Sequence, residues 1–100
     1  MIAKLTGKIT RANNESVIID VNGVGYLVFC SAKTLEVVSK NEEVTSLLVE
    51  THVREDHIHL FGFFEEAEQN CFKILTTVQG VGAKVALGIL SSWNPDKLAN

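Results

Sequence analysis

The residues best suited to chemistry lie in a glycine-containing segment at positions 77–86, which reads Thr-Val-Gln-Gly-Val-Gly-Ala-Lys-Val-Ala. Gly80 and Gly82 flank one apolar residue, Val81, so the backbone can turn sharply and approach a ligand closely. The amides after the turn belong to a helix N-terminus, which attracts anions, and Lys84 adds a charge there. The segment has the form of a helix-hairpin-helix, which contacts DNA backbone without reading base sequence.

A plainer interpretation of the same segment also stands. Gly80 and Gly82 would then only end one helix and begin the next. The nearby Lys84 and the small apolar pair Val85-Ala86 favour phosphate binding over this alternative.

A second polar group surrounds residues 54–57, Arg-Glu-Asp-His. Glu55 and Asp56, with three histidines close by, raise the possibility of a nuclease-like metal site. Adjacent carboxylates in one turn point in different directions, however, whereas a two-metal site needs ligands that converge from several elements. From the residues alone, an ordinary solvated hairpin turn is the preferred interpretation, and neither a metal nor another cofactor is expected.

Composition and charge limit the class of protein. The chain has 100 residues, 46% of them hydrophobic, and a net charge of −3, which indicates a folded protein rather than a disordered one. No apolar run is long enough to span a membrane and no signal peptide is evident, so a cytoplasmic location is expected. Cys30 and Cys71 lack a Cys-x-x-Cys spacing and are expected to be free, buried thiols.

The net negative charge argues against a protein that coats DNA by bulk attraction. A hairpin that binds phosphate through backbone amides needs few basic side chains, which weakens that objection. There is no Gly-x-x-x-x-Gly-Lys-Ser/Thr loop, so the chain is not expected to hydrolyse ATP.

The elements that must position these groups change character near residue 63. Before it, the hydrophobic pattern has a period of two and predicts strands at 1–10, 16–21, 24–30, 44–53 and 58–63. Asn22-Gly23 is a strong hairpin signal, and Ser31 can cap a short helix that ends near Val38. Gly7 is expected to mark a bend or bulge. Five short strands in about sixty residues predict a small OB-like barrel.

After residue 63 the period is helical. The first helix is expected to bury a stripe made of Ala67, Cys71, Leu75 and Val78, widened by Phe72 and Ile74. The second helix, which starts at Ala83, is expected to bury Val85, Ala86, Ile89, Leu90 and Trp93. Asn94-Pro95-Asp96 predicts the start of a third helix.

Two further functions remain open at this stage. A single-strand-binding OB domain needs exposed aromatic side chains, but the aromatic residues here lie mostly on apolar faces and are expected to be core. An assembly module that folds but does not bind DNA is the other alternative.

Several motifs together resemble the RuvA family, the Holliday-junction-binding subunits of the bacterial branch-migration machine. They are Met1-Ile2-x-x-Leu5-x-Gly7, Val21-Asn22-Gly23-Val24-Gly25-Tyr26, Val53-Arg54-Glu55-Asp56, Leu60-Phe61-Gly62-Phe63, Phe72-Lys73-x-Leu75, Gly80-Val81-Gly82-x-Lys84-x-Ala86-Leu87 and Ile89-Leu90-Ser91. Each motif alone is weak, but they occur in the expected order from residue 1 to 91.

The resemblance implies an α+β chain with an N-terminal five-stranded OB-fold barrel at 1–63 and a partial helix-hairpin-helix domain at 64–100. It implies that the first of two hairpins binds phosphates of a junction arm through Gln79, Gly80, Val81, Gly82 and Lys84. Glu55 and Asp56 correspond to an acidic pin that repels the DNA backbone and guides strand separation.

The resemblance also implies partners and a role in DNA recombination and repair. Family members form tetramers or octamers, hold an open four-way junction, and act with a RuvB-type ATPase motor and a RuvC-type resolvase. None of these roles is catalytic for the RuvA-like subunit itself. Position 83 is Ala where the family often has Pro, and the sequence given stops at Asn100, before the second hairpin and the motor-binding domain. If the protein ends there, half of the paired phosphate-binding device is missing and loss of the motor contact is expected; an assembly module with weak or no DNA binding is the alternative.

Overall fold

The computed structural model describes residues 1–40 and 43–92. Its elements are, in chain order, β1 (Lys4–Ala12), β2 (Ser16–Val21), β3 (Val24–Cys30), α1 (Ala32–Ser39), β4 (Thr45–Val53), β5 (Ile58–Phe63), α2 (Glu66–Thr77) and α3 (Ala83–Ser92). The predicted helix start at 94–96 and the predicted core residue Trp93 lie outside the described residues.

The five strands close into a barrel in the order β1-β2-β3-β5-β4. Every pairing is antiparallel except that of β3 with β5, which is parallel and brings Phe29 opposite Phe61. The barrel followed by helices confirms the predicted α+β class and its OB-like architecture. The parallel pair places the C-terminal end of β3 beside the strand that leaves the 54–57 turn.

Local sequence signals explain the barrel's connections. Asn22 (φ 52°) and Gly23 (φ 92°) both take left-handed conformations in the β2–β3 turn, as the Asn-Gly pair predicts. Asp20 Oδ1 accepts a 2.8 Å hydrogen bond from the Gly23 amide and fixes that turn. Gly7 instead allows a close approach, since a Cβ there would collide with the Asp20 carbonyl, while the register irregularity of β1 lies at 9–11.

The core has two parts. One fills the barrel and is built around the fully buried Ile19, Val28 and Leu47. The other lies between the barrel and the two following helices, where it consists of Phe61, Phe63, Phe72, Ala86, Leu87 and Leu90. The prediction that most aromatic residues are core is confirmed for Phe61, Phe63 and Phe72, whereas Tyr26 and Phe29 are only partly buried and Phe64 is 45% exposed. Thus β5 contributes to both the barrel wall and the helical core.

The predicted buried faces of α2 and α3 were too wide. In α2 only Phe72 is buried, and in α3 the buried residues are Ala86, Leu87 and Leu90. Leu87, which was not predicted to be core, packs inward with Ala86 and Leu90 and shares a cluster with Phe72. The predicted core positions that are exposed instead are Ala67, Ile74, Val78, Val85 and Ile89.

Both cysteines are free, as predicted. Cys30 is buried, and burial raises the pKa of its thiol to about 12. Cys71 is only partly buried, which corrects the expectation that both are buried.

Candidate nucleic-acid interface

The connection between α2 and α3, residues 78–82 and here called the α-hairpin, is a tight turn. The Val78 amide donates to the Leu75 carbonyl (3.1 Å), and the Val81 amide donates to the Val78 carbonyl (3.0 Å). Gly80 has φ +89°, in the left-handed region that favours glycine. The sequence-predicted Gln79 is exposed between these two bonds. The turn therefore depends on Gly80 for its shape.

The α-hairpin is anchored on one side and open on the other. Val81 is half-buried and packs against the helical core, as the sequence predicts for a residue between two helices. Gly82 is exposed, and its carbonyl accepts a 3.0 Å hydrogen bond from the Ala86 amide. The N–H groups of the first turn of α3 have no carbonyl partner within the helix, so this end of α3 is suited to an anion.

Lys84 projects from that first turn over the barrel. Its Nζ lies 5.3 Å from the centre of the Phe29 ring of β3, within the range of a cation–π contact. The side chain remains exposed. The barrel thus supports the ammonium group, but leaves it available to a ligand.

The turn between β4 and β5, residues 54–57 and here called the acidic turn, is closed by the Arg54 amide, which donates to the His57 carbonyl (2.8 Å). Glu55 and Asp56 are exposed to solvent at its tip. Asp56 Oδ1 lies 2.8 Å from His57 Nδ1, and this hydrogen bond lowers the pKa of the Asp56 carboxyl. Asp56 consequently keeps its negative charge in mildly acidic solution.

One open groove of about 620 Å³ connects the two turns. Its lining residues are His52, Arg54, His57, His59, Phe61, Thr76, Val81, Gly82, Ala83 and Lys84. The α-hairpin forms one side, and β4, β5 and the ends of the acidic turn form the other. Of the sequence-predicted residues, Val81, Gly82 and Lys84 therefore share the groove, while Glu55 and Asp56 lie beyond its rim.

Polar contacts hold the helices against the barrel and so fix the spacing of the two turns. Glu68 of α2 accepts hydrogen bonds from Ser31 Oγ (2.9 Å) and Thr34 Oγ1 (2.6 Å) at the start of α1. Both hydroxyl residues are buried. The start of α1 also contacts α3, because the Ala32 amide donates a 2.9 Å hydrogen bond to Ser91 Oγ.

Three residues in this arrangement were missed by sequence reasoning about the site. Phe29 supports Lys84, Arg54 supplies a cation to the groove, and Glu68 braces α2. The charge of Arg54 beside Glu55 was a usable signal, whereas the pairing of residues 29 and 84 depends on the tertiary fold.

The described residues offer neither a metal site nor a membrane-spanning helix. Among residues 1–40 and 43–92, no three His, Cys, Asp or Glu side chains are grouped so as to hold a metal ion. None of the described helices is long and apolar enough to cross a membrane.

Comparison with known proteins decides the family. Residues 1–62 match the model of the RuvA N-terminal domain. The chain belongs to the RuvA family. A protein of Methylorubrum populi named Holliday junction branch migration complex subunit RuvA is 54% identical over 99% of this chain. Proteins of the same name from Methylobacterium radiotolerans and Acidiphilium cryptum are 53% and 52% identical over the whole chain.

These RuvA relatives are longer than the chain described here. The matched region makes up 48% of the Methylorubrum populi protein and 49% of the other two. The chain thus spans about half the length of the curated RuvA proteins it matches. The barrel accounts for the family-model match, whereas the similarity to individual RuvA proteins extends through the α-hairpin and α3.

Proposed function

We propose that this chain binds four-way DNA junctions, as a non-catalytic part of a branch-migration complex in recombination and repair. The supporting observation is the groove that two turns of opposite character share. Phosphates bind at the α-hairpin through Gly80, Gly82 and the amides that follow, with Gln79 at its edge and Lys84 as the nearby cation. Val81 holds the turn in place.

In this proposal the acidic turn excludes DNA backbone from the centre of the junction. Glu55 and Asp56 carry exposed negative charge next to a groove that contains Arg54 and Lys84. A phosphate is repelled at the tip and attracted a short distance away, so each strand is steered into the groove. The net charge of −3 is compatible with DNA binding because the acidic side chains and the basic side chains lie at different positions on the surface.

The proposal includes self-assembly around the acidic turn. Val53 and Ile58 pair across β4 and β5 at the base of this turn, and they are 56% and 64% exposed. An exposed apolar pair beside the tip suits contact between copies, and four copies would concentrate the negative charge on one axis. We further propose a division into a barrel unit at 1–63 and a helical unit at 64–100, and action in the cytoplasm.

Contact with a RuvB-type motor or a RuvC-type resolvase is proposed for the longer protein only. The names of the relatives place them in a branch-migration complex, and half of their length lies beyond the region matched here. ATP hydrolysis is assigned to the motor, because this chain has no phosphate-binding loop of the ATPase type.

Binding of this 100-residue chain to labelled four-way, duplex and single-stranded DNA over a salt series tests the proposal. The expected result is tighter binding to the four-way junction than to either other DNA, with affinity that falls as salt rises. Stronger binding to single strands would favour the OB-domain alternative. No junction complex even at low salt would favour the assembly module, and magnesium-dependent cleavage would contradict the non-catalytic role.

A further inference from the structure

A row of three rings leads from the acidic turn toward Lys84: His57 and His59, which line the groove, and then Phe29. The His57 and His59 rings lie 4.3 Å apart, centre to centre. The centres of the His59 and Phe29 rings lie 5.3 Å apart in an edge-to-face arrangement. Lys84 Nζ lies over the Phe29 ring, 5.3 Å from its centre. The two histidines therefore lie between the proposed phosphate site and the acidic tip.

The hydrogen bonding of His57 determines which ring nitrogen is available to a ligand. Its Nδ1 is 2.8 Å from Asp56 Oδ1, so Nδ1 carries the hydrogen and donates to the carboxylate. In a neutral ring Nε2 is then an acceptor, whose lone pair opposes a phosphate oxygen. In an imidazolium ring Nε2 becomes a donor and binds that oxygen. A single proton thus reverses the behaviour of this atom toward DNA.

The charges around the pair act on it from several elements. Arg54 and Glu55 lie in the same turn, His52 faces it from β4, and Lys84 faces it from α3 across the groove. Glu50 of β4 acts electrostatically on His52. Asp56 is the carboxylate in direct contact with His57. Arg54 and Lys84 add two cationic side chains that attract a phosphate to the groove.

His52 differs from the other two histidines in its surroundings. Its ring packs against Phe61 (4.9 Å) and Phe72 (5.8 Å). Burial, with Arg54 and His59 nearby, lowers the pKa of His52, so this ring takes up a proton less readily than an ordinary imidazole. His57 and His59, the other two of the three histidines in the sequence, both line the groove and stack on each other at its acidic end.

We propose that His57 and His59 form a second phosphodiester-binding site in the groove, which binds a DNA phosphate only when the imidazoles are protonated. This inference rests on the proposed junction binding and deepens it. DNA phosphates keep their charge over the same pH range, so the proton taken up belongs to the protein. Protonated His57 also offsets the charge of Asp56, and both effects favour DNA as pH falls.

Junction binding at two pH values tests the site. For the unmodified chain we expect affinity about tenfold higher near pH 6 than near pH 8, together with a salt dependence whose log–log slope is steeper by about 0.9 for each additional phosphate that the protein neutralises. The double variant H57Q/H59Q is expected to bind as the unmodified chain does near pH 8 and to lose the increase near pH 6. K84Q is the control in the same groove, since it removes a cation from α3 rather than from the turn that holds His57, and it should lower affinity equally at both pH values.

The outcomes separate this inference from the proposed function. Junction binding that is intact at pH 8 but does not strengthen at pH 6, or an increase that survives in H57Q/H59Q, overturns the histidine site and leaves the proposed function standing. Failure to bind junctions at either pH contradicts the proposed function.

A second measurement decides the histidine site without junction binding. NMR of the histidine rings, titrated with inorganic phosphate near pH 6, is expected to show shifts for His57 and His59 but not for His52. The absence of these shifts would overturn the site, and circular dichroism at both pH values checks that each variant is folded.

Discussion

The groove is bordered by two turns that are built on opposite principles. The acidic turn presents side chains, because Glu55 and Asp56 project from a short β-hairpin whose backbone is closed by one hydrogen bond. The α-hairpin presents backbone, because Gly80 and Gly82 remove side chains where α3 begins. One turn carries full charges exposed to water, and the other carries partial charges fixed in direction by a helix.

This difference shows how a chain with net charge −3 can suit a polyanion. Repulsion between the exposed carboxylates of Glu55 and Asp56 and a phosphate acts over about a Debye length, some 8–10 Å at physiological salt. Attraction by backbone amides acts only at hydrogen-bond range and needs close approach. In the proposed function, the acidic turn therefore repels the DNA backbone at longer range and the α-hairpin binds it at contact.

The largest expected effect on stability concerns the hydrogen bonds by which Glu68 joins α2 to the start of α1. Glu68→Ala removes the acceptor of two buried hydroxyl groups, Ser31 and Thr34, and should lower the free energy of unfolding by about 2 kcal/mol. Urea unfolding measures it. Glu66→Ala is the matched control, because Glu66 is exposed in the first turn of the same helix and should cost only about 0.5 kcal/mol. Equal losses in the two variants would contradict this role of Glu68.

The next effect concerns the shape of the α-hairpin. Gly80→Val forces a β-branched residue into φ +89° and should cost about 1–3 kcal/mol of stability, with junction affinity reduced at least about tenfold. Gly88→Ala is the control in the adjoining helix α3, since Gly88 is exposed there and has open space for a Cβ. This control should gain about 0.5–1 kcal/mol and bind normally. Normal junction binding by Gly80→Val would show that the turn does not touch DNA.

A smaller effect is expected from Lys84, which contributes its positive charge to the groove from the first turn of α3. Lys84→Ala should reduce junction affinity about fivefold and reduce the log–log salt slope by about 1, because one phosphate is no longer neutralised. Lys40→Ala removes the same charge from an exposed surface pair with Glu36, away from the groove, and should change neither quantity measurably. A salt slope that is identical for the two variants would exclude Lys84 from the interface.

The smallest effect is expected at the acidic turn, and it has the opposite sign. The double variant Glu55→Gln/Asp56→Asn should bind duplex DNA about threefold more tightly, because repulsion is removed while the groove stays intact. Its preference for four-way over duplex DNA should fall accordingly. The matched control is Glu36→Gln/Glu66→Gln, which changes the net charge equally at exposed sites outside the groove. If both variants bind duplex DNA more tightly by the same factor, the acidic turn acts only through net charge.

Short-range signals in the sequence were sufficient to predict turns and helix starts. Asn22-Gly23 predicted a turn because both residues accept positive φ, and both have it. Ser31 predicted a helix start because its hydroxyl can accept from a backbone amide, and it accepts from the Thr34 amide at 3.3 Å. These features depend on residues within a few positions of one another, so they are visible in the sequence itself.

The orientation of the helices was not predictable in the same way. Val85 and Leu87 are both apolar, and periodicity cannot decide which of them faces the barrel. That choice depends on Phe72 and on the two phenylalanines of β5, with which Leu87 shares a core. The contact of Lys84 with Phe29 likewise requires both the parallel β3–β5 pairing and the docking of α3. The roles assigned to the site residues remain predictions.

Because β5 is both a barrel strand and part of the core beneath the helices, local unfolding of the two regions is coupled. Phe61 and Phe63 are part of the barrel strand that leads out of the acidic turn, and they also form the core beneath α2 and α3. The α-hairpin therefore cannot swing away from the barrel without uncovering both rings, so its detachment and the fraying of β5 belong to one cooperative event. In native-state hydrogen exchange, the amides of α2 and those of β5 should accordingly share one opening free energy.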